Sequence, residues 1–238
     1  MPIPTIDPYP MPTESELTPG PAAWRPDPAR AVLLVHDMQG YFVGFFPPGR
    51  SPTVELLANV RRLKLAAAAR GIPVVHSAQP GRMSRAERGL LHDVWGAGMA
   101  NDPQDRAIVP TVAPTPTDVL LTPPRPSAQL EPRGGALTGQ RGGVLVKHRY
   151  SAFHGTSLAA DLVGAGRDQL IVCGVFAHIG CLLTAADAYA HDVQPFLVAD
   201  AVADFSAEEH RWALWYAARR CAVTLTTDQL LAALESSA

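Results

Sequence analysis

The chain is poor in most features that would commit it to a membrane, a nucleic acid or an oxidising compartment. Its formal net charge is only −2 over 238 residues, which gives no electrostatic reason to expect nucleic acid or an anionic lipid surface as partner. Apolar runs such as AVLLV and LIVCGV are far short of the roughly 20 residues that cross a bilayer, so no membrane association is expected. The N-terminal stretch MPIPTIDPYPMPTESEL has no basic n-region and no apolar h-region, and does not read as a signal peptide. Three cysteines without close spacing exclude a disulfide framework and favour a reducing compartment, with cytoplasm as the expectation. No HxH, HExxH or CxxC arrangement joins the eight histidines, so no metal is expected. Neither a GxGxxG turn nor a P-loop follows any strand-like run, and no cofactor is implied.

Proline, by contrast, is abundant: 23 of 238 residues, nearly double the usual share of about 5%. It gathers in residues 2–28, at Pro47–Pro48 and in residues 110–132. Residues 1–28 therefore read as an extended arm lying on a domain of residues 29–238, because proline fixes φ and removes donors. Residues 123–142, where the proline tract meets RGGALTGQRGG, read as a long irregular inserted loop.

Elsewhere strand-length apolar runs alternate with helical patterns. Strands are predicted over 31–37, 72–79, 118–122, 143–150, 168–175, 193–200 and 222–228, and helices over 54–71, 85–95, 157–166, 180–192 and 207–220. Such alternation implies right-handed crossovers in an α/β fold, a mostly parallel sheet of about six strands with helices on both faces. Ligands of such sheets bind beyond the carboxyl ends of the strands. That rim collects Asp37, Gln79, Lys147 and the turn after Val175. Taken singly, Asp37 reads as a turn or cap residue and Lys147 as a strand-end lysine. Together each supplies the partner the other needs, and a carboxyl beside an ammonium in a water-poor cleft is a candidate acid–base pair.

LLVHDMQGYF, SAQPG, RGLLHDVWGAGM, KHRYSAFHGTSL, GVFAHIGCLLTAADAY and QPFLVADAVADFSAEEH together resemble the isochorismatases, part of a cysteine-hydrolase-like superfamily that also holds nicotinamidases. The resemblance covers nearly the whole chain apart from 123–142, with 118–122 and 143–150 each resembling one family strand. It implies an isochorismatase-like hydrolase fold and a catalytic Asp37–Lys147 pair. In the amidohydrolase branch a nucleophilic cysteine opens the helix after the GV turn; alignment on GVFAHI places Gly180 there. Cys181, one residue on, is rotated by about 100° and is expected to face away from Asp37 as a buried hydrophobe. Cys173 and Cys221 are expected in the core, and His36 and His178 as packing residues flanking the site.

The resemblance further implies substrate contacts from Arg88 as a carboxylate clamp, Gln79 as an amide donor, Trp95 as an apolar wall, Phe42, Tyr150 and Phe176 around the ring, and Gly180 through its N–H at a helix start. Phe176 departs from the tyrosine common in its slot. The implied reaction is hydrolysis of the enolpyruvyl vinyl ether of isochorismate or its 2-amino-2-deoxy analogue. Asp37, with a raised pKa, would protonate the terminal methylene, Lys147 would bind the enolpyruvyl carboxylate, and water would capture the oxocarbenium ion before pyruvate leaves. The pathways served would be siderophore or phenazine-type antibiotic biosynthesis. Two alternatives stand beside it: a cysteine-dependent amidohydrolase using Cys181 after a register shift, and a non-catalytic, carrier-interacting protein. A small-molecule substrate, water and a homodimeric mate are the expected partners, with no fused carrier domain after TTDQLLAALESSA.

Overall fold

The computed structural model describes residues 3–118, 121 and 143–236. Six parallel strands run β1 (Ala31–His36), β2 (Val74–Ala78), β3 (Val144–Val146), β4 (Gln169–Val175), β5 (Gln194–Ala203) and β6 (Val223–Leu225), in the spatial order β3-β2-β1-β4-β5-β6. The central strands are buried along their full length, which is why their sequences are continuous β-branched and leucine runs rather than alternating ones.

Alternate strand residues feed two cores. Leu33, Val35, Ile171 and Phe196 pack with Leu56, Val60 and Leu63 of α2 (Thr53–Ala69) and Leu230 of α9 (Thr227–Ser236). Val32, Leu34, Val172 and Leu197 pack on the other face with α6 (Leu158–Gly164), α7 (Leu182–Ala190) and α8 (Ala207–Arg220). Helix α8 begins where Ser206 accepts from the Glu209 N–H, as an N-cap does. The arm crosses the first core, where Ile6 and Tyr9 are buried, and the Ile6 N–H donates to the Phe45 carbonyl at 3.0 Å.

Several expected elements are revised. The helix predicted over 85–95 is two short ones, α3 (Arg85–Arg88) and α4 (Leu91–Trp95), because Gly89 takes φ +53 and breaks the turn. Of the strand predicted over 143–150 only residues 144–146 pair, and Lys147 stands one residue beyond. Asp118 lies in a bend and Leu121 in no strand, and the rest of the expected 118–122 strand falls outside the described residues. The 123–142 tract does so too. Strand β5 runs on to Ala203 instead of ending at Asp200, whose carboxylate is satisfied by the N–H and hydroxyl of Thr227, each at 2.7 Å. Short helices α1 (Gly40–Val43) and α5 (Pro103–Arg106), and the longer α9, were not predicted. Where α7 was expected to start at Gly180, a π-helical turn, Ala177–Cys181, comes first.

The topology places the site. From β1 the chain steps to β2 on one side, while β4 fills the other side and the later strands grow outward from it. The β1/β4 border is therefore the switch point, where loops leaving adjacent carboxyl ends diverge and open a crevice.

Candidate active site

Asp37 leaves β1 at φ +48, a left-handed conformation uncommon for a residue with a side chain. Its N–H bonds the Ser77 carbonyl at 3.2 Å, and this places the carboxylate over the rim. The carboxylate is 3% exposed and fully engaged. Oδ2 lies 2.6 Å from Lys147 Nζ, Oδ1 accepts from Ser77 Oγ at 2.6 Å, and Gln79 Nε2 reaches Oδ2 at 3.5 Å.

Lys147 is equally committed. Its three N–H donors meet Asp37 Oδ2, the Arg149 carbonyl at 3.0 Å and the Tyr150 carbonyl at 3.1 Å. An ammonium has only three donors, and in the free cleft all three are taken by groups of the protein itself. A raised pKa for Asp37 is not what the free cleft provides. Burial pushes the carboxyl upward, but the Lys147 ammonium, then His36 and the Ser77 hydroxyl, hold it below the usual carboxylate range.

Two adjoining cavities that share Phe42, Gln79, Phe176 and Ile179 open above this pair. The deeper is lined by Asp37, Lys147, Gln79, Phe42, Tyr150, Phe176 and Gly180, and the outer by Arg88 and Trp95 together with Gln79, Phe42 and Phe176. The nine residues singled out in the sequence thus come together around one cleft. Tyr150 turns its hydroxyl toward Trp95, whose Nε1 donates to it at 2.6 Å. Phe176 stacks on Phe46 and meets Phe42 edge-on.

Arg88 is the electrostatic feature of the outer cavity. It is 6% exposed, and one N–H is bound to the Gly96 carbonyl at 2.5 Å. No carboxylate lies within ion-pair distance of it among the described residues. Burial holds its pKa below the free-arginine value, with the Tyr41 and Tyr150 hydroxyls opposing. A desolvated guanidinium at a cleft wall, lacking a counter-ion, is arranged to take an anion.

Gly180 is the fourth residue of the π-helical turn and not the first of a helix. Cys181 is fully buried in the core beneath α7, lines neither cavity, and burial raises its thiol well above the ordinary value. A nucleophile must be a thiolate with access to substrate, and this sulfur has neither property. Cys173 and Cys221 are buried as well.

Other wall residues escaped the sequence reading. Ser77, which fixes Asp37, sits inside the quoted SAQPG motif. Gln39 exchanges bonds with Gln79, accepting from its N–H at 2.7 Å and donating to its carbonyl at 2.9 Å. Its signal was its place two residues after Asp37. Ile3, Tyr41, Leu91, Met99, Ile179 and Phe205 also line the outer cavity. Phe205 was missed because β5 was ended too early, and Ile3 because nothing in a proline-rich arm marks one apolar residue as a wall. His178 lies beside Phe205. Burial pulls its pKa down, but Asp204, bonded to it at 2.7 Å, lifts it above the free value. Among the described residues no group of three or more His, Cys, Asp or Glu converges as a metal cluster, and no helix is long and apolar enough to cross a membrane.

The all-parallel sheet order and the cleft at its switch point are those of a layered α/β fold with helices on both faces. The description of the Isochorismatase domain matches residues 31–142 and again residues 135–229. The isochorismatase of Bacillus subtilis is 46% identical over 237 residues, covering 100% of this chain and 68% of the relative. Phenazine biosynthesis protein PhzD of Pseudomonas fluorescens is 47% identical over 229 residues, 96% of this chain and 98% of that protein. Enterobactin synthase component B of Escherichia coli is 38% identical over 233 residues, 98% of this chain and 73% of that protein. The chain belongs to the isochorismatase family and is an enzyme of the hydrolase type. Among solved structures a cysteine hydrolase from Pseudomonas syringae pv. phaseolicola overlays with TM-score 0.72 at 22% identity, covering 90% of this chain and 97% of that one. At that identity the likeness concerns the fold alone.

Proposed function

We propose that the protein hydrolyses the enolpyruvyl ether of isochorismate or of 2-amino-2-deoxyisochorismate, releasing pyruvate and a dihydro-diol or a dihydro-hydroxyanthranilate. The observation that carries this reading is a buried Asp37–Lys147 pair facing a cleft whose lining contains no thiol. A vinyl ether needs no nucleophile: protonation at carbon begins its hydrolysis, and the pair holds one transferable proton. In the empty cleft the neighbouring ammonium favours the ionised form of Asp37. When substrate excludes water and brings its own carboxylates close, the neutral form of Asp37 is favoured, and the proton crosses the 2.6 Å to Oδ2.

Asp37 then delivers the proton to the terminal methylene carbon, forming an oxocarbenium ion. Water adds to that ion and returns a proton to Asp37. The hemiketal breaks its bond to the ring oxygen, pyruvate departs, and the ring keeps a hydroxyl. Arg88 binds a substrate carboxylate in the outer cavity, Gln79 contributes an amide, and Trp95, Phe42, Tyr150 and Phe176 enclose the ring. Gly180 lines the deeper cavity beside the pair.

Pyruvate formation from isochorismate, coupled to lactate dehydrogenase, tests the reading, and its absence would refute it. Because one relative is named an isochorismatase and another a phenazine biosynthesis protein, kcat/KM on the hydroxyl and amino substrates compares siderophore-type with phenazine-type roles. A homodimer is the proposed assembly, with exposed Trp212, Trp215 and Tyr216 on α8 as the face to examine by sedimentation. A cytoplasmic location fits three buried, unpaired thiols.

A further inference from the structure

Gly180 has a neighbour that explains more than its own small size. A Cβ built on Gly180 would lie 2.2 Å from His36 Cε1 and 2.9 Å from both His36 ring nitrogens. Real Cβ atoms do not approach so closely, so the space a side chain at residue 180 would occupy is already filled by the imidazole. The ring cannot easily swing aside. It is 0% exposed, at the end of the central strand β1. Its Nδ1 faces the Val175 carbonyl at 2.9 Å and its Nε2 the Tyr150 carbonyl at 3.2 Å.

These two carbonyls belong to the site. Val175 ends β4 on the far side of the switch point. The Tyr150 carbonyl is also one of the three acceptors that hold Lys147, so His36 and Lys147 meet on one oxygen. Tyr150 in turn carries the hydroxyl that receives Trp95. His36 lines the deeper cavity with its Nδ1 3.8 Å from Asp37 Oδ2, and it braces the strand on which Asp37 sits, the loop that fixes Lys147 and the turn that bears Gly180.

We propose that His36 is a positioning and specificity-determining residue: its imidazole fills the slot where a nucleophilic side chain would stand, and its contact with the Tyr150 carbonyl holds Lys147 on Asp37. The choice between acid-initiated ether cleavage and covalent catalysis is then set by two residues together, a ring at 36 and a glycine at 180. The inference rests on the acid–base reading of the cleft, but its steric half can be tested without substrate.

The steric test is a double-mutant cycle in thermal unfolding with Gly180→Ala, His36→Val and the pair. Gly180→Ala alone forces overpacking and lowers Tm by about 5 °C, as small-to-large changes in a tight interior do. In the pair, the smaller residue at 36 makes room, and most of the drop due to alanine disappears. Additive losses would overturn the filled-slot claim. Gly180→Cys with His36→Val supplies a second reading. It gains one thiol that iodoacetamide alkylates in the native protein, whereas no added alkylation would also overturn it.

The positioning half is read in kinetics. His36→Val lowers kcat about tenfold while KM changes less than about twofold, because the outer wall that binds substrate is untouched; tenfold corresponds to about 1.4 kcal/mol. His36→Gln, whose amide N–H reaches the Tyr150 carbonyl whichever ring nitrogen carries the proton in the parent, recovers most of that loss. Unchanged kcat in His36→Val, or no recovery with glutamine, overturns the positioning role. Failure of the parent enzyme to release pyruvate would instead overturn the acid–base reading and leave the thermal cycle standing.

Discussion

The floor of the cleft and its outer wall are built on opposite plans. On the floor the ionic groups are answered within the protein: Asp37 by Lys147 and Ser77, and Lys147 by two carbonyls and Asp37, with the His36 ring, which carries one N–H when neutral, set between the Val175 and Tyr150 carbonyls. On the wall, Arg88 uses one donor on a carbonyl and has no counter-ion among the described residues, with aromatic rings around it. Saturated groups hold their geometry and exchange protons among themselves, while an unsaturated cation waits for a partner. The difference separates a place for chemistry from a place for recognition.

The sharpest way to break this division is Asp37→Asn. The amide keeps the shape but gives no proton, so kcat falls about 10²–10⁴-fold while substrate binding, followed by fluorescence titration, stays measurable. Retained turnover would move the chemistry elsewhere. Next in size is Lys147→Met, which leaves a buried carboxylate without its ion partner. Removing one member of such a pair costs about 3–5 kcal/mol, so the urea midpoint drops along with activity. A variant as stable as the parent would mean that the floor is wetter than its burial indicates.

On the wall, Arg88→Ala removes charge-assisted bonds of about 1.5–3 kcal/mol. KM therefore rises about 10–100-fold with a smaller change in kcat. An equal fall in kcat would erase the distinction between wall and floor. Smallest per site is the response to acid. Burial lowers His36, His76 and His210 from 6.5 to about 4. The unfolded chain binds protons that these rings refuse in the fold, so their contribution to stability is present above pH 6.5 and is lost as pH falls toward 4. Asp37, also lowered, adds a loss only below its ordinary value of 3.8. His178, which is raised, acts in the opposite direction. Urea midpoints recorded from pH 7 to 4 should decline, by about 1 kcal/mol per pH unit for each ring. His210→Gln, remote from the cleft, should flatten the slope without altering kcat.

What the sequence disclosed follows the same line. Continuous apolar runs located β1, β2 and β4 to within two residues at each end, because burial on both faces leaves no room for polar interruption. The rim residues were legible because Asp37 and Lys147 interrupt or end those runs. Less legible were features that depend on contacts far along the chain. The length of β5 was hidden by Asp200, a residue that signals a turn until Thr227 is there to bond it. Helix α9 had a local mark that was passed over. Thr226 and Gln229 bond each other's backbone N–H groups at its start, the reciprocal pattern of a capping box. The filled slot at Gly180 was invisible, since no rule of spacing links residue 180 to residue 36.

The arm ends where substrate must pass. Ile3 lines the outer cavity, and its neighbours follow the surface past Phe45 to the buried Tyr9. A bulky group fused ahead of Ile3 would therefore crowd the doorway and distort measured affinities.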